Sequence, residues 1–298
     1  MKIYIGTVSF ESRSSAIVRR NDQCYELGFI FCSREVEPYL SDHLSYFKKK
    51  IGNIRHIQTS YDDTVDNLQK IQGMVLMMDQ IQSDEPLTIE WDISVTRREL
   101  ISLILLALRD LTVPYKLKIL YSDAGNYSTN EPEGKKWLSK GVKKVGTILG
   151  FNGLFYARKS FHLVVYLGLE SERIRALIEK TEPQFVTFFR PKSDFPSIEE
   201  DRERVFKEVQ PKCDFSVEYI ANTDPTLVCE EILKRTANRE WNYGLCSFNS
   251  KISAVGFALA ALKNRELRLF YVWAEAYNKK YYSEETDIII EHDIILPA

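Results

Sequence analysis

One polar run in the first half of the chain separates an apolar strand-like stretch from an apolar helical stretch. It contains Asp92, Ser94, Thr96, Arg97 and Arg98. Small hydroxyls, backbone N–H groups and two guanidinium groups at the start of a helix are suited to holding a phosphate. The alternative is an ordinary helix cap, in which Ser94 or Thr96 accepts bonds from free N–H groups while the arginines face solvent.

A second polar group, formed by Ser9, Glu11 and Arg13, follows the first strand-like segment. A glutamate there favours the positive end of a helix dipole, and an arginine can reach a ligand or an internal carboxylate. The alternative is a solvated first helical turn. We predict that Ser9 and Arg13 bind a ligand, and that Asp92 or Glu11 is the general base if the protein is an enzyme.

Short β-rich segments alternate with segments of helical period along the whole chain, which is typical of parallel strands joined by crossover helices. The predicted strands are residues 2–8, 24–32, 54–59, 87–93 and 115–121, then 161–167, 184–189, 215–220, 243–248 and 267–273. The prediction is an α/β protein with two tandem Rossmann-like lobes, each with a mainly parallel sheet. The N-terminal lobe would span 1–141, a connector 142–160 and the C-terminal lobe 161–298.

The two halves also resemble each other, which predicts an internal duplication. The alignment pairs Tyr4 with Tyr166, the helix 101–111 with 254–263, and Tyr121 and Tyr127 with Tyr271 and Tyr277. It places Cys246 where the first half has Asp92, and Lys251 where it has Arg97. The second half therefore retains a cation but lacks the carboxylate. If Asp92 is catalytic, the second lobe would have only a binding or structural role.

Ligands of open parallel sheets lie beyond the carboxyl ends of the strands, where loops and helix N-termini converge. This rule adds further candidate ligand-binding residues, namely Tyr127 in the first lobe and Asn249, Lys251 and Tyr277 in the second. For Tyr277, an exposed loop position is the alternative.

Composition excludes several classes of function. With 40 basic and 42 acidic residues, the net charge of −2 provides no field for a long nucleic-acid backbone. No G-x-G-x-x-G follows the first strand, no P-loop is present, and the four histidines lie apart, so neither a cofactor nor a metal is expected.

The sequence also predicts a cytoplasmic protein. Its five cysteines are odd in number and mostly lie in apolar segments, which indicates a reducing compartment. Met1 leads directly into a strand-like segment, without the features of a secretion signal. The most apolar helical stretch is about 12 residues long, whereas a membrane span needs about 20.

The pattern Asp92-x-Ser94-x-x-Arg97, between a strand and a helix, resembles the CARF superfamily of nucleotide-sensing domains. The duplicated arrangement is similar to SAVED domains, which look like two fused CARF-like units. The resemblance implies binding of cyclic oligonucleotide signals in prokaryotic antiviral defence, through the loops after strands one and four. It points to Ser9, Glu11, Arg13, Ser94, Arg97, Asn249 and Lys251. Ser94-Val95-Thr96 stands where CARF domains carry a Gly-Gly turn.

Three hypotheses about function follow. The first is a sensor or complex subunit that binds a nucleotide-like or phosphorylated small ligand and works with a separate effector or partner protein. The second is a hydrolase or transferase acting on a nucleotide or phosphorylated small molecule, with Arg97 holding phosphate. The third is a scaffold whose lobes contact only other proteins.

Overall fold

The structure, a computed structural model, describes residues 1–127, 137–191, 196–220, 224–279 and 283–297. The strands are β1 (Lys2–Val8), β2 (Tyr25–Ser33), β3 (Ile51–Thr59), β4 (Leu87–Asp92), β5 (Tyr115–Tyr127), β6 (Ser139–Thr147), β7 (Ser160–Tyr166), β8 (Phe185–Arg190), β9 (Asp214–Tyr219), β10 (Trp241–Ser247), β11 (Arg268–Tyr277) and β12 (Ser283–Ile294). The helices are α1 (Ala16–Arg20), α2 (Leu40–Lys50), α3 (Thr64–Asp79), α4 (Arg98–Leu108), α5 (Ser171–Thr181), α6 (Pro196–Glu208), α7 (Pro225–Arg235) and α8 (Lys251–Lys263). Short 3-10 turns cover Ser12–Ser15 and Arg34–Tyr39.

The chain divides into two lobes, each with a six-stranded sheet. The first lobe consists of Met1–Tyr127 with Tyr282–Ala298, and its strand order is β12-β5-β4-β1-β2-β3. The second lobe consists of Ser128–Tyr281, with the order β6-β11-β10-β7-β8-β9. In each sheet five strands are parallel and one edge strand, β12 or β6, is antiparallel. The predicted α/β class with two mainly parallel Rossmann-like lobes is therefore confirmed.

Burial explains why the central strands could be predicted from the sequence. In β1 six of seven residues are buried, and β7 and β10 are buried along most of their length. Strands covered on both faces read as continuous apolar runs. Nearly every side chain in helices α4 and α8 is buried, and for this reason apolar residues lie on most sides of both helices.

The two antiparallel edge strands depart from the predicted lobe boundaries. The predicted C-terminal lobe, 161–298, included Ser283–Ile294, but this strand pairs with β5 of the first sheet. The predicted connector, 142–160, overlaps Ser139–Thr147, which pairs with β11 of the second sheet. Both edge strands are rich in charged residues, three lysines in β6 and five carboxylates in β12, and the one apolar run, the isoleucines 288–290 of β12, is short and flanked by charges.

The same strand order in both lobes supports the internal duplication, and the two edge strands also begin opposite equivalent residues. Ser283 at the start of β12 lies opposite Tyr127. Ser139 at the start of β6 lies opposite Tyr277. Tyr127 and Tyr277 are the residues that the sequence alignment equated. Each lobe therefore has an equivalent antiparallel edge strand. In the chain β6 follows β5 but pairs with β11, and β12 follows β11 but pairs with β5.

The registers correct one part of that alignment. Ile5 lies opposite Trp91, and Trp91 lies opposite Ile119, two residues before Tyr121. In the second lobe the corresponding series is Val164, Leu245 and Leu269, which again ends two residues before a tyrosine, Tyr271. Ile5 is thus equivalent to Val164, and Tyr4 is not equivalent to Tyr166. The equivalence of Asp92 and Cys246 agrees with the registers, because Asp92 directly follows Trp91 and Cys246 directly follows Leu245.

Candidate functional site

The carboxyl ends of β1 and β4 in the first lobe form a buried polar network around Asp92. One carboxylate oxygen of Asp92 accepts bonds from the backbone N–H of Ser94 at 2.9 Å and from its hydroxyl at 2.5 Å. The other oxygen accepts a bond from the Tyr4 hydroxyl at 3.0 Å. The Ser94 hydroxyl oxygen accepts a bond from the backbone N–H of Ser122, which links the turn to β5.

Burial is the main influence on the charge of this carboxyl group, because Asp92 is only 4% exposed. Burial raises the pKa of Asp92 from its usual 3.8 to about 6. Hydrogen bonds from Ser94 and Tyr4 and the charge of Arg13 oppose that shift. Burial and the neighbouring Asp92 also raise the pKa of Tyr4 above its ordinary value, so Tyr4 stays a hydrogen-bond donor at neutral pH.

Glu11 and Arg13 form a second buried group at this end of the sheet. The Arg13 guanidinium donates to one Glu11 oxygen at 2.6 and 3.1 Å and to the carbonyl of Ser122 at 3.1 Å. The Ser283 hydroxyl donates to the same Glu11 oxygen at 2.5 Å. The pair therefore joins the loop after β1 to both β5 and the edge strand β12. Glu11 and Arg13 are 7% and 2% exposed, so the solvated first turn that we gave as the alternative is wrong.

The second lobe contains a similar arrangement in the segment after β7. Arg173 donates to Glu170 at 2.8 Å and to the carbonyl of Val272 in β11. The Ser139 hydroxyl donates to the other Glu170 oxygen. Glu170 follows Val164 by six residues, as Glu11 follows Ile5, whereas Arg173 follows Val164 by nine residues and Arg13 follows Ile5 by eight. Glu170 was not identified from the sequence.

Ser9 shapes the same loop in the first lobe. Its hydroxyl oxygen accepts a bond from the backbone N–H of Glu11 at 3.1 Å, and its own N–H donates to the Ser14 hydroxyl at 3.0 Å. Thr7 and Thr96 bring the two loops together, because their hydroxyls lie 2.8 Å apart. The structure thus gathers Ser9, Glu11, Arg13, Asp92 and Ser94 into one region, as the strand-end rule predicted.

Arg97 contacts Ser60, Glu99 and Tyr61 within the described part of the first lobe. Its guanidinium donates to the carbonyl of Ser60 at 2.7 Å and to Glu99 at 3.2 Å, and it lies 4.5 Å from the ring centroid of Tyr61. Its side chain is 12% exposed, and that of Glu99 is 1% exposed. Thr64 donates a further bond to Glu99 at 2.5 Å. Arg97 does not face solvent, which contradicts the capping alternative, and Arg98 is half-buried.

The helices that follow β4 and β10 begin differently. Arg97 precedes α4 and its side chain makes no cap hydrogen bond to the first turn, where Glu99 and Leu100 are buried. Ser250 precedes α8, and its hydroxyl caps that helix by accepting a bond from the N–H of Ser253. Lys251 follows Cys246 by five residues, as Arg97 follows Asp92, and it is also the first residue of α8, as Arg98 is of α4. Both lobes therefore carry a cation at the start of this helix, and only α8 has a side-chain cap from its preceding residue.

The remaining predicted residues lie at the strand ends of the second lobe or outside the described side chains. Asn249 and Lys251 are half-buried at the start of α8, and Tyr277 is half-buried at the end of β11. Burial lowers the pKa of the Arg173 guanidinium, but the charge of Glu170 and then Tyr277 raise it, so that the pKa lies above its ordinary value. The Tyr127 side chain lies outside the described part of the structure.

Two grooves of the second lobe lie away from the predicted residues. One, of about 550 Å³, is lined by residues of α5 and of the segment that leads into β9, including Arg175, Glu182 and Lys212. The other, of about 400 Å³, includes Tyr156, Trp241 and Glu266.

Within the described ranges, no group of three or more His, Cys, Asp or Glu side chains is placed to hold a metal ion. No described helix is long and apolar enough to cross a membrane.

The fold and the strand-end polar groups define a two-lobe α/β protein with Rossmann-like sheets. No protein-family profile and no curated protein matches the sequence. Among solved structures, the chain is similar to a type III CRISPR defence DNA nuclease activated by cyclic oligoadenylate, with a TM-score of 0.52 and 6% identity over 96% of this chain and 68% of that one. At this identity the similarity shows the fold alone. A UDP-GlcNAc 2-epimerase from Neisseria meningitidis, with 11% identity over 83% of this chain and 77% of that one, has a TM-score of only 0.25.

Proposed function

We propose that the chain binds a nucleotide-type ligand and acts as a sensor or complex subunit in prokaryotic antiviral defence. In this proposal a phosphate of the ligand lies at the first turn of α4 in the first lobe. Arg98 supplies charge there, Arg97 is fixed beside it, and Ser9, Arg13 and Ser94 hold the two loops in position. Asn249, Lys251, Tyr127 and Tyr277 remain predicted contacts.

The observation that carries the proposal is the first turn of α4. The first N–H groups of a helix have no partner within the helix, and the helix dipole adds partial positive charge there. In α4 the residue before this turn, Arg97, makes no side-chain cap hydrogen bond, and Glu99 and Leu100 of the turn are buried, whereas the equivalent turn of α8 is capped by Ser250. Glu99 in the same turn is paired with Arg97. A phosphate would satisfy these N–H groups.

The fold similarity supports the ligand class and the biological setting that we propose. The similar nuclease is activated by cyclic oligoadenylate, and the likeness extends over 96% of this chain, including both lobes. A nucleotide carries the phosphate that the first turn of α4 would accept. The defence role rests on this similarity and on the CARF-like pattern around Asp92.

An enzymatic role has one supporting observation, the raised pKa of Asp92, since a base with a pKa of about 6 is suited to proton transfer near neutrality. However, both carboxylate oxygens of Asp92 already accept hydrogen bonds from Ser94 and Tyr4. Glu11 is likewise engaged by Arg13 and Ser283. These contacts favour positioning roles for both residues and binding over catalysis.

The test is a thermal-shift panel of mono-, di- and cyclic nucleotides that includes cyclic oligoadenylates, followed by calorimetry on any hit. Removing a charge-assisted contact in Arg98→Ala should weaken binding about tenfold or more. Arg109→Ala is the matched control, because Arg109 follows the last residue of the same helix, and it should bind like the wild type. Product analysis of the bound ligand then separates a sensor from an enzyme.

Two results would contradict the proposal. If no nucleotide raises the melting temperature of the folded protein, the ligand class is wrong. If a nucleotide binds but Arg98→Ala and Arg109→Ala retain equal affinity, the phosphate does not lie at the first turn of α4.

A further inference from the structure

The two antiparallel edge strands are equivalent in the fold but opposite in charge. β6 contains three lysines and no carboxylate, whereas β12 contains five carboxylates and no lysine or arginine. The exposed lysines of β6 are Lys140, Lys143 and Lys144. The exposed carboxylates of β12 are Asp287, Glu291 and Asp293, of which Asp287 lies 3.2 Å from Arg20 and Glu291 lies 3.1 Å from Lys118 of the same lobe.

Both strands lie at the end of a sheet, so each has one backbone edge without a neighbouring strand among the described residues. An edge strand with open N–H and C=O groups is a template for pairing with another chain, and proteins limit such pairing by placing charges on the edge. In this protein each edge repels a copy of itself. The two edges nevertheless attract each other, since opposite charges across a strand pair are favourable.

Apolar side chains accompany the charges on the acidic edge. Ile288 is 57% exposed, although it lies within β12 between residues that pair with β5. Val142 and Val145 of β6 are half-buried because they pack against the core of the second lobe. A second strand laid along β12 would remove part of the Ile288 surface from water.

We propose that β12 of one copy of this chain pairs with β6 of a second copy, so that the protein self-associates head to tail. The contact uses two different surfaces, and such a heterologous contact forms a ring if its rotation closes and an open chain if it does not. Electrostatic attraction between the edges also makes the association sensitive to salt, because exposed charges are screened.

Sedimentation of the full chain over a range of concentrations and salt tests the proposal. The weight-average mass of the wild type should rise with concentration at about 50 mM salt, and the association should weaken about tenfold or more at about 500 mM. Lys143→Glu with Lys144→Glu makes both edges acidic, and Asp287→Lys with Asp293→Lys makes the acidic edge more basic. Each variant alone should remain monomeric, and an equimolar mixture of the two should associate.

The mixture is the decisive measurement, because recovery of association requires that both variants are folded. A matched control reverses two exposed lysines of the same lobe away from the edge, in Lys180→Glu with Lys207→Glu, and it should associate like the wild type. Circular dichroism melting verifies that each variant is folded. The proposal is overturned if the folded wild type is monomeric up to about 100 µM at low salt, if the mixture stays monomeric, or if the control loses association to the same extent.

Discussion

At the residue scale, the buried pairs Glu11–Arg13 and Glu170–Arg173 are the polar features that the two lobes share. Both arginines are 2% exposed. Breaking a buried ion pair by removing one partner leaves an uncompensated charge, which costs about 3–5 kcal/mol. We expect Arg13→Ala and Arg173→Ala each to lower the free energy of unfolding by about that amount in urea titrations. Arg175→Ala, an exposed position on α5, should change it by less than about 0.5 kcal/mol. Equal effects at Arg173 and Arg175 would contradict a buried structural role.

Asp92 predicts a specific pH dependence of stability. Its pKa in the folded chain, about 6, lies above the usual 3.8, so the folded state binds more protons than the unfolded state between these values. Stability from this group is therefore fully present below about pH 4 and is lost as pH rises through about 6. We expect the unfolding free energy of the wild type minus that of Asp92→Asn to fall over this range and to level off above it. A difference that rises with pH would mean that the hydrogen bonds outweigh burial.

At the element scale, close packing of α7 against α8 depends on Gly256. A Cβ at this position would lie 2.6 Å from a Val228 methyl group and 2.8 Å from the carbonyl of Pro225. Gly73 in α3 is the matched comparison, because a Cβ there would meet nothing within 4 Å. We expect Gly256→Ala to destabilise the protein by about 1–3 kcal/mol through overpacking. Gly73→Ala should stabilise it by about 0.5–1 kcal/mol through helix propensity. Thermal melts check both signs, and stabilisation by both changes would show that α7 and α8 are not in close contact.

At the scale of the whole molecule, the last strand belongs to the first lobe. Because β12 covers the edge of β5, and Ser283 bonds to Glu11, deleting residues 283–298 should remove hydrogen-exchange protection from β5 and β4. Protection of β7 and β10 in the second lobe should persist. Deleting only residues 295–298 is the control, since Ile295 is 89% exposed and lies beyond the strand. Greater loss of protection in β10 than in β5 would contradict this division of the chain.

The sequence by itself determined the α/β class, the five parallel strands of each lobe and the loops that carry polar side chains. These features depend on local periodicity and on strand burial, which leave a direct trace in residue order. Asp92, Ser94, Glu11 and Arg13 were identified because they interrupt apolar runs at strand ends. The resemblance around Asp92 suggested the fold that one similar solved structure shares over most of the chain.

Only the tertiary structure decided which side chains are partners and which sheet each edge strand joins. Glu170 was missed because its role depends on Arg173, Ser139 and the carbonyl of Val272, which are up to 102 residues from it in sequence. The strands β6 and β12 have many charged residues, because one side of an edge strand faces solvent, and the three isoleucines 288–290 of β12 are too few to mark a strand by themselves. Their placement depends on backbone hydrogen bonds to β11 and β5, and pairing between distant segments leaves no periodic signal in either one.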